Sequence, residues 1–264
     1  MAEPWYRVAF GAFYPCLYSH RDDDEARRCV DTLARLAPLG NGNGQPLLDL
    51  GCGDGRHLAR LRLQGLPVAG LDLSLALLQA ARARGLGAGL VCADMRRLPF
   101  GDGVFGAVLS LFTAFGYFGE AAADGGGGDA AVIREIARVS APGGHWFLDF
   151  LNADRVRAEL AGGALARSRV AGPLAVTETR RLEAGAVVKD VRLTGLPGRG
   201  GEAGELGVGP DGVEYSERVR LYSLEDLDQL ARDADLHRVG AAGDYDGAPL
   251  GNGPRWLLAF RKGC

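Results

Sequence analysis

The sequence predicts an α/β fold: a doubly wound, mostly parallel sheet of seven strands, Rossmann-like in its order, with an inserted antiparallel β cap. Short apolar runs that are typical of buried strands alternate with helical patterns as far as Asp149, which is the order of a parallel sheet with helices on both faces. Beyond that residue, segments with alternating apolar and polar residues follow one another without a helix, as in an antiparallel sheet. At 264 residues the chain can bury the core of one such domain.

The first element that periodicity predicts is a helix of roughly four turns that begins at Arg21. Its first turn is acidic over Asp22–Glu25, as the positive end of a helix dipole favours. Apolar residues recur at helical spacing from Val30 to Leu36 and predict the face that covers the sheet. We expect residues 1–40 to form this capping helix and, before it, a lid rich in aromatic residues.

A loop with three glycines follows the first predicted strand, Leu47–Leu50. The glycines stand at alternate positions: Gly51, Gly53 and Gly55. Without a Cβ they let the backbone turn tightly and approach a ligand, and Asp49 can accept hydrogen bonds from that ligand. The loop departs from the dinucleotide fingerprint because Arg56 follows the third glycine, and Asp49 and Asp54 would repel phosphates. It therefore favours a cationic, phosphate-free ligand such as S-adenosylmethionine over NAD, and a helix should run from Arg56 to about Gln64.

Two further strands are predicted to end in carboxylates at the same edge of the sheet. The run Pro67–Asp72 ends in an acid that can bind both hydroxyls of a ribose, with Leu73 beside it. The run Gly89–Asp94 ends in another acid, which together with Met95 can hold an adenine amino group and cover the ring. A helix is predicted between them, over residues 74 to about 84.

Taken in order, these segments resemble the class I S-adenosylmethionine-dependent methyltransferases over most of the chain. The resemblance is carried by Asp49–Gly55, Asp72, Ala93–Met95, Val104–Phe112 as the fourth strand, and Val139–Asp149 as a helix end, a Pro-Gly-Gly turn and the fifth strand. More narrowly, Phe112–Phe118 is similar to the segment after that strand in small-molecule members such as the amino-sugar N-methyltransferases. The resemblance implies an enzyme that uses S-adenosylmethionine, releases S-adenosylhomocysteine and methylates N or O of a small-molecule acceptor. It also implies cofactor contacts from Leu111 and from Arg21, since related folds use a basic residue near the N-terminus.

The segment between the fifth strand and the last predicted helix is not required by the core fold and is predicted to form the cap. A hairpin is predicted from Leu174–Leu182 and Val187–Leu193, around a turn at Glu183–Gly185. Val213–Tyr222 is the predicted third strand of this small sheet. The glycine-rich run Pro197–Gly212 between them is predicted to be mobile.

A capping-box pattern predicts the last helix from Ser223 to about Asp235, and two antiparallel strands near residues 236–243 and 255–262 would close the sheet. Domain boundaries follow from where the alternation of helices and strands stops and resumes. We expect a lid and capping helix over 1–40, an S-adenosylmethionine-binding core over 41–165, a cap on the substrate side over 166–222, and the completion of the core over 223–264.

Composition and charge argue against several classes of partner. The net charge is −3 and no basic run exceeds two residues, which argues against a nucleic-acid groove. The longest uncharged stretch, Val104–Gly119, is too short for a membrane span, and an N-terminus with Glu3 and Arg7 among aromatic residues is not a signal peptide. The cysteines form no C-x-x-C pair, so reduced thiols, a cytoplasmic location and no metal site are predicted. The oligomeric state stays open, with a dimer as one alternative.

Methyl transfer depends mainly on aligning donor and acceptor in a site without water, so no catalytic side chain is required. The candidates are residues that can reach the carboxyl edge of the parallel strands. They are Tyr14, His20 and Tyr117 on the catalytic side, and Tyr18, Phe115, Asp149 and Asn152 on the substrate side. Each also has a structural interpretation, because the aromatic residues can serve packing, His20 can be a solvated helix start and Asn152 can cap a helix.

Of the other histidines, His145 and His237 are predicted to be structural, while His57 stands just beyond the glycine loop, where packing and proximity to a cofactor are both open. Two other functions also stay open. An RNA or protein methyltransferase would need a basic or peptide-binding surface, and a non-catalytic subunit would bind S-adenosylmethionine without turnover. The intact acids at the three strand ends argue against the second alternative.

Overall fold

The computed structural model describes residues 4–40, 44–119, 127–251 and 253–263, and this part of the chain forms two sheets. The main sheet contains β1 (Leu47–Leu50), β2 (Val68–Asp72), β3 (Leu90–Cys92), β4 (Phe105–Ser110), β5 (Ser140–Leu151), β10 (Leu236–Ala242) and β11 (Arg255–Lys262). The second sheet contains β6 (Leu165–Ala171), β7 (Leu174–Glu183), β8 (Ala186–Gly195) and β9 (Val213–Arg220). The helices are α1 (Trp5–Ala9), α2 (Tyr14–Leu17), α3 (Asp23–Leu36), α4 (Arg56–Leu63), α5 (Leu75–Ala83), α6 (Asp129–Val139), α7 (Ala153–Leu160), α8 (Gly200–Glu205) and α9 (Leu224–Arg232). Within the described residues, no helix has the length and apolar character needed to cross a membrane.

The main sheet has the strand order β10-β11-β5-β4-β1-β2-β3, which confirms the predicted fold class. β1 pairs in parallel with β2 and β4, so that Leu48 stands opposite both Ala69 and Val108. β5 joins β4 in parallel, whereas β11 and β10 add to the sheet as an antiparallel pair. The carboxyl ends of β1, β2, β4 and β5 therefore meet at one edge, where open α/β sheets bind ligands.

Side chains on β5 alternate between the two faces of the main sheet. Trp146 and Phe150 belong to the apolar layer under α6 and α9, and Phe147 belongs to the layer under α3 and α4. The Trp146 ring stacks on Phe260 with centroids 5.0 Å apart. A helix layer on each face is what the predicted doubly wound order requires.

Capping side chains explain where the main helices begin. Asp22 accepts a hydrogen bond from the backbone amide of Glu25 at 2.8 Å, which begins α3. Ser74 begins α5 in the same way. Ser223 and Asp226 form the predicted capping box at the start of α9.

The fifth strand begins earlier than predicted. β5 starts at Ser140 and continues through Pro142–Gly144, and its pairing with β4 changes register there. The Pro-Gly-Gly turn predicted before the strand is therefore part of it, and His145, which would follow that turn as the first residue of the strand, lies inside the strand and is buried, as its structural interpretation requires. The glycines of the run Asp124–Asp129 predict a flexible connection before α6, and residues 124–126 of that run lie outside the described residues.

The second sheet differs from the predicted cap in two ways. It has four strands, because β6 precedes the hairpin, and most residues of β6 are exposed, which explains why its sequence shows no apolar alternation. The run Pro197–Gly212, predicted to be mobile, contains α8 and buries Ala203 and Val208 in a cluster with Leu193. The prediction of mobility is wrong because burial of these apolar side chains orders the segment despite its glycines.

The short helices α1 and α2 go beyond the sequence prediction and pack on the inner face of the second sheet. Phe13 and Leu17 are buried there, and the Phe13 ring stacks on Tyr215 with centroids 6.0 Å apart. On the other side, the hydroxyl of Ser74 donates to the carbonyl of Phe10 at 2.6 Å. The N-terminal segment therefore connects the second sheet to the carboxyl edge of the main sheet.

Candidate active site

A pocket of about 480 Å³ lies at the carboxyl edge of β1, β2 and β4, within the range of about 300–1,000 Å³ that is typical of ligand sites. Its walls come mainly from the glycine loop, residues 72–77, residues 93–95, the segment after β4 and residues 6–23. None of the described residues of the second sheet lines it. The N-terminal segment thus separates the pocket from the second sheet.

Two loop glycines are required by the atoms around them. Gly51 has a φ of +79°, and a Cβ there would lie 2.7 Å from the Cβ of Ala114. Gly55 has a φ of +82°, and a Cβ there would lie 2.6 Å from Leu86. Gly51 and Gly53 line the pocket, whereas Gly55 lies behind it and begins α4. The loop therefore packs tightly, and at Gly51 and Gly53 it presents only backbone to a ligand.

Asp72 organises the glycine loop from the end of β2. One carboxylate oxygen accepts from the amide of Gly53 at 2.8 Å, and the other accepts from the amide of Ser74 at 2.8 Å. Burial raises the pKa of Asp72, while these amides counteract that rise. Each oxygen keeps a lone pair, so Asp72 can still accept hydrogen bonds from hydroxyl groups in the pocket, where Leu73 also lies.

Asp94 and Met95 line the pocket after β3. The carboxylate of Asp94 binds the guanidinium of Arg96 at 2.7 Å, and that guanidinium lies 4.2 Å from the centroid of the Phe118 ring. Sequence reasoning missed Arg96, although a basic residue two positions after the acid was a signal. Arg96 orients Asp94 at the pocket wall.

Three guanidinium groups surround the ring of Phe112, which lines the pocket. Their central carbons lie 4.8 Å (Arg21), 5.7 Å (Arg56) and 5.5 Å (Arg255) from the ring centroid. Glu25 binds Arg21 at 2.8 Å and Arg56 at 3.3 Å. Sequence reasoning identified Arg21 but not the other two. The position of Arg56 next to the loop was a signal, whereas Arg255 is distant in sequence and gave none.

Two buried polar atoms beside the glycine loop have no hydrogen-bond partner within the described ranges: Oδ2 of Asp49 and Nε2 of His57. Burial, and after it the charge of Asp72, raises the pKa of Asp49 to about 7. Burial, and after it Arg56, lowers the pKa of His57 well below its ordinary value, so the imidazole is neutral. His57 forms part of the pocket wall, and Asp49 lies behind it. Because an unpaired buried group costs free energy, the His57 nitrogen in the pocket wall fits a ligand that supplies a hydrogen-bonding partner.

Tyr14, Tyr18 and Tyr117 line the side of the pocket formed by the N-terminal segment. The rings of Tyr14 and Tyr18 have centroids 4.7 Å apart. The ammonium of Lys189 donates to the hydroxyl of Tyr18 at 2.8 Å and binds Glu217 at 2.7 Å. Burial raises the pKa of all three phenols, so they are neutral hydrogen-bonding groups. The second sheet therefore contacts the pocket wall at Tyr18, and also at the segment after β4, where the amide of Arg220 donates to the carbonyl of Gly116 at 2.8 Å.

Two residues that the sequence placed in the site lie outside it. His20 is exposed, and its ring centroid is 6.1 Å from that of Tyr18. Phe115 is buried in the core between Trp146 and Phe150. Neither the predicted catalytic residue His20 nor the predicted substrate-side residue Phe115 lines the pocket, because the turn after β4 directs Phe115 inward and His20 faces solvent after α2.

Asp149 and Asn152 are also buried away from the pocket. Asp149 accepts hydrogen bonds from the amide of Phe112 at 2.9 Å and the hydroxyl of Tyr245 at 2.7 Å, and it forms an ion pair with Arg255. Asn152 caps α7, which is its structural interpretation. Their predicted contact with the acceptor is wrong because packing against the C-terminal strand pair occupies both side chains.

Residues 48–148 match the family model described as a methyltransferase domain. The match covers the first five strands of the main sheet and most of the pocket walls, and it agrees with the methyltransferase resemblance of the sequence. The match supports the prediction of a methyltransferase enzyme.

Curated relatives refine the comparison. The chain is 29% identical over 260 residues to dTDP-3-amino-3,4,6-trideoxy-alpha-D-glucopyranose N,N-dimethyltransferase of Streptomyces venezuelae. The alignment covers 94% of this chain and 97% of that protein. It is 39% identical over 118 residues to a demethylmenaquinone methyltransferase of Corynebacterium kroppenstedtii, and this alignment covers 44% of the chain. The chain spans about half the length of the demethylmenaquinone methyltransferases that it matches, or 47% in this case.

Solved structures share the fold. A S-adenosylmethionine-dependent methyltransferase from Clostridium acetobutylicum has a TM-score of 0.74 at 15% identity over 96% of each chain. DesVI of Streptomyces venezuelae has a TM-score of 0.67 at 24% identity, and the match covers 94% of this chain and 96% of that one. At these identities the likeness supports the architecture and nothing finer.

Proposed function

We propose that the protein transfers a methyl group from S-adenosylmethionine to N or O of a small-molecule acceptor, with an amino group on a sugar as the first acceptor to test. The observation that carries the proposal is the pocket, in which a tight glycine loop and the acids after β2 and β3 stand opposite an aromatic wall. The relative from Streptomyces venezuelae, aligned over nearly the whole of both chains, is named for a reaction on an amino sugar.

The cofactor would lie along the carboxyl edge of the main sheet. Asp72 would accept hydrogen bonds from the ribose hydroxyls, and Asp94 and Met95 would hold the adenine. Arg21 would bind the methionine carboxylate, because the cations around Phe112 favour an anionic group at that end. The loop amides of Gly51 and Gly53 would contact the methionine part. Leu73 and Leu111, which line the pocket, would pack on the cofactor.

When bound, the cofactor supplies an electrophilic methyl group on a sulfonium. The residues of the chain align the acceptor and exclude water, which is the main requirement of this reaction. Tyr14 and Tyr117 would shape the reacting side, and their ring faces would stabilise a cationic group. An amine acceptor must be unprotonated at nitrogen to react, and the neutral phenols of these residues can accept a hydrogen bond from it.

We further propose that residues 1–40 act as a lid, that residues 41–165 and 223–264 form the cofactor-binding core, and that residues 166–222 act as a cap on the substrate side. The stacking of Phe13 on Tyr215 and the hydrogen bond from Lys189 to Tyr18 support a coupling of lid and cap. We also propose that the protein works in the cytoplasm, without nucleic acid.

Calorimetry with S-adenosylhomocysteine tests the cofactor assignment. Asp72→Ala should weaken binding by about 1.5–3 kcal/mol, because charged hydrogen bonds to the ribose are lost. Asp102→Ala is the control, since Asp102 is exposed, forms an ion pair with Arg138 at 2.7 Å and lies outside the pocket. Binding of NAD without binding of S-adenosylhomocysteine would contradict the assignment. Release of S-adenosylhomocysteine with an amino-sugar acceptor then tests the reaction.

A further inference from the structure

Phe112 and Thr113 adopt the left-handed backbone conformation, with φ of +53° and +64°. Side chains with a Cβ seldom enter this region, and a bulky or β-branched residue there is strained. Both residues directly follow the strand β4 and Leu111, and Phe112 lines the pocket. Such a conformation persists only where the surrounding structure holds it.

Asp149 holds both residues. Its Oδ2 accepts from the amide of Phe112 at 2.9 Å, and its backbone carbonyl accepts from the amide of Thr113 at 2.9 Å. The side chain of Asp149 is fully buried, and Tyr245 donates its hydroxyl to Oδ2 at 2.7 Å. Arg255 binds Oδ1 through Nε and donates through Nη2 to the hydroxyl of Thr113 at 2.8 Å. Each carboxylate oxygen and each strained residue is therefore engaged.

We propose that Asp149, Tyr245 and Arg255 form a clamp that positions the pocket wall: they hold Phe112 and Thr113 in the left-handed conformation and thereby fix the Phe112 ring in the cofactor pocket. The three are positioning residues, since none of them lines the pocket. Tyr245 and Arg255 belong to the C-terminal part of the chain, which thus sets the shape of a site it does not touch. This proposal depends on the proposed function only in that its binding test uses S-adenosylhomocysteine as the ligand.

Amide exchange in the ligand-free protein tests the clamp directly. Asp149→Asn removes the charge that Arg255 binds but leaves the backbone carbonyl that accepts from Thr113. If the clamp holds the turn, exchange at the Thr113 amide should become faster by about tenfold or more, because the turn opens more often. Faster exchange at Phe112 alone, with Thr113 unchanged, would overturn the proposal.

Tyr245→Phe repeats the test with a milder change and decides the question if Asp149→Asn does not fold. Tyr222→Phe is the matched control, because Tyr222 is buried and donates to Asp129 at 2.9 Å in the same manner. We expect the Thr113 amide to exchange faster in Tyr245→Phe than in the unaltered protein. In Tyr222→Phe its exchange rate should stay unchanged. Equal exchange rates in these two variants would contradict the clamp.

Two substitutions of Thr113 separate strain from hydrogen bonding. Both Thr113→Ala and Thr113→Gly remove the hydroxyl that Arg255 binds, but only glycine removes the Cβ that disfavours a positive φ. Asp149→Asn should therefore weaken S-adenosylhomocysteine binding about tenfold in the Thr113→Ala protein and by a smaller factor in the Thr113→Gly protein, in which only the strain at Phe112 remains. Equal losses in both would overturn the proposal. If the unaltered protein does not bind this ligand, the proposed function fails, and the exchange measurements still decide the clamp.

Discussion

The glycine-loop edge of the main sheet and the inner face of the second sheet both present polar side chains to the N-terminal helices, but their hydrogen bonding differs. At the loop, Oδ2 of Asp49 and Nε2 of His57 are buried without a partner among the described residues. On the second sheet, Lys189 binds both Glu217 and the hydroxyl of Tyr18. The first region has unfilled hydrogen-bonding capacity, whereas the second satisfies its own charges.

This difference indicates which polar groups serve a ligand and which serve the fold. Buried groups that bind each other stabilise one arrangement of the chain, and removing one partner leaves the other uncompensated. A buried group without a partner in a pocket wall, such as His57, gains one from a ligand that donates to it or accepts from it. We therefore expect changes on the second sheet to lower stability and changes at the loop to lower cofactor affinity.

The largest effect is expected from Lys189→Met on the second sheet. It leaves the carboxylate of Glu217, of which only 16% is exposed, without its cation, and the free energy of unfolding should fall by about 3 kcal/mol. Affinity for S-adenosylhomocysteine should change less than about twofold in the folded fraction. Denaturant unfolding and calorimetry provide the two measurements.

The double variant Lys189→Met with Glu217→Gln is the control, because it removes the charge that Lys189→Met leaves unpaired. Its stability should return to within about 1 kcal/mol of that of the unaltered protein. A large loss of ligand affinity at normal stability would instead place Lys189 in the site and break the comparison.

Gly51→Ala should have the next largest effect, this time on binding. The added methyl group would lie 2.7 Å from the Cβ of Ala114 at a φ of +79°, so the loop must shift. We expect affinity for S-adenosylhomocysteine to fall by about 2–3 kcal/mol. Gly65→Ala is the matched control, since Gly65 has a φ of +75° with no atom within 4 Å of the added Cβ. It should lower stability only.

A second substitution, Ala114→Gly, tests the cause of that loss. If the close approach of the two Cβ atoms matters, Ala114→Gly should restore part of the affinity in the Gly51→Ala protein. Without any recovery, backbone strain alone would explain the effect.

Asp49 predicts a pH dependence of cofactor binding. Its pKa is raised to about 7 by burial and by Asp72, so the carboxyl is mostly neutral at pH 6 and ionised at pH 8. A cationic ligand favours the ionised form, so affinity for S-adenosylmethionine should rise about tenfold between these pH values. Asp49→Asn should make the titration flat. An equal rise in that variant would show that another group is responsible.

The same pKa has a consequence for stability. In the ligand-free protein the folded state binds a proton at Asp49 that the unfolded chain, with a pKa near the ordinary value of 3.8, has already released. The contribution of this group to the free energy of unfolding is therefore lost as the pH rises from about 4 to about 7. Asp49→Asn should remove that slope, which denaturant unfolding at several pH values measures.

The smallest effect is expected at His57. His57→Leu should weaken binding of S-adenosylhomocysteine by about 1 kcal/mol, because a hydrogen-bonding group in the pocket wall is lost. His145→Leu is the matched control, since His145 is equally buried and its Nδ1 has no partner within the described chain, yet it lies outside the pocket. If both variants bind alike, the unpaired nitrogen of His57 serves packing, and the comparison weakens.

Local sequence patterns predicted the part of the site that is formed by the glycine loop and the strand end beside it. The glycine loop and Asp72 lie where their spacing indicated, because strand ends and tight turns are determined over a few residues. Asp149 shows the limit of this reasoning. It stands at the correct edge of the sheet, but Tyr245 and Arg255, which are distant in sequence, bind it away from the pocket.

The sequence by itself determined the fold class and the place of the glycine loop after the first strand, because each depends on periodicity and spacing within one element or between adjacent ones. Tertiary structure alone decided that Phe115 packs into the core, that α1 and α2 lie between the pocket and the second sheet, and that three guanidinium groups surround Phe112. These features arise from contacts between residues far apart in the chain, whose energies depend on which surfaces packing brings together and not on any local pattern.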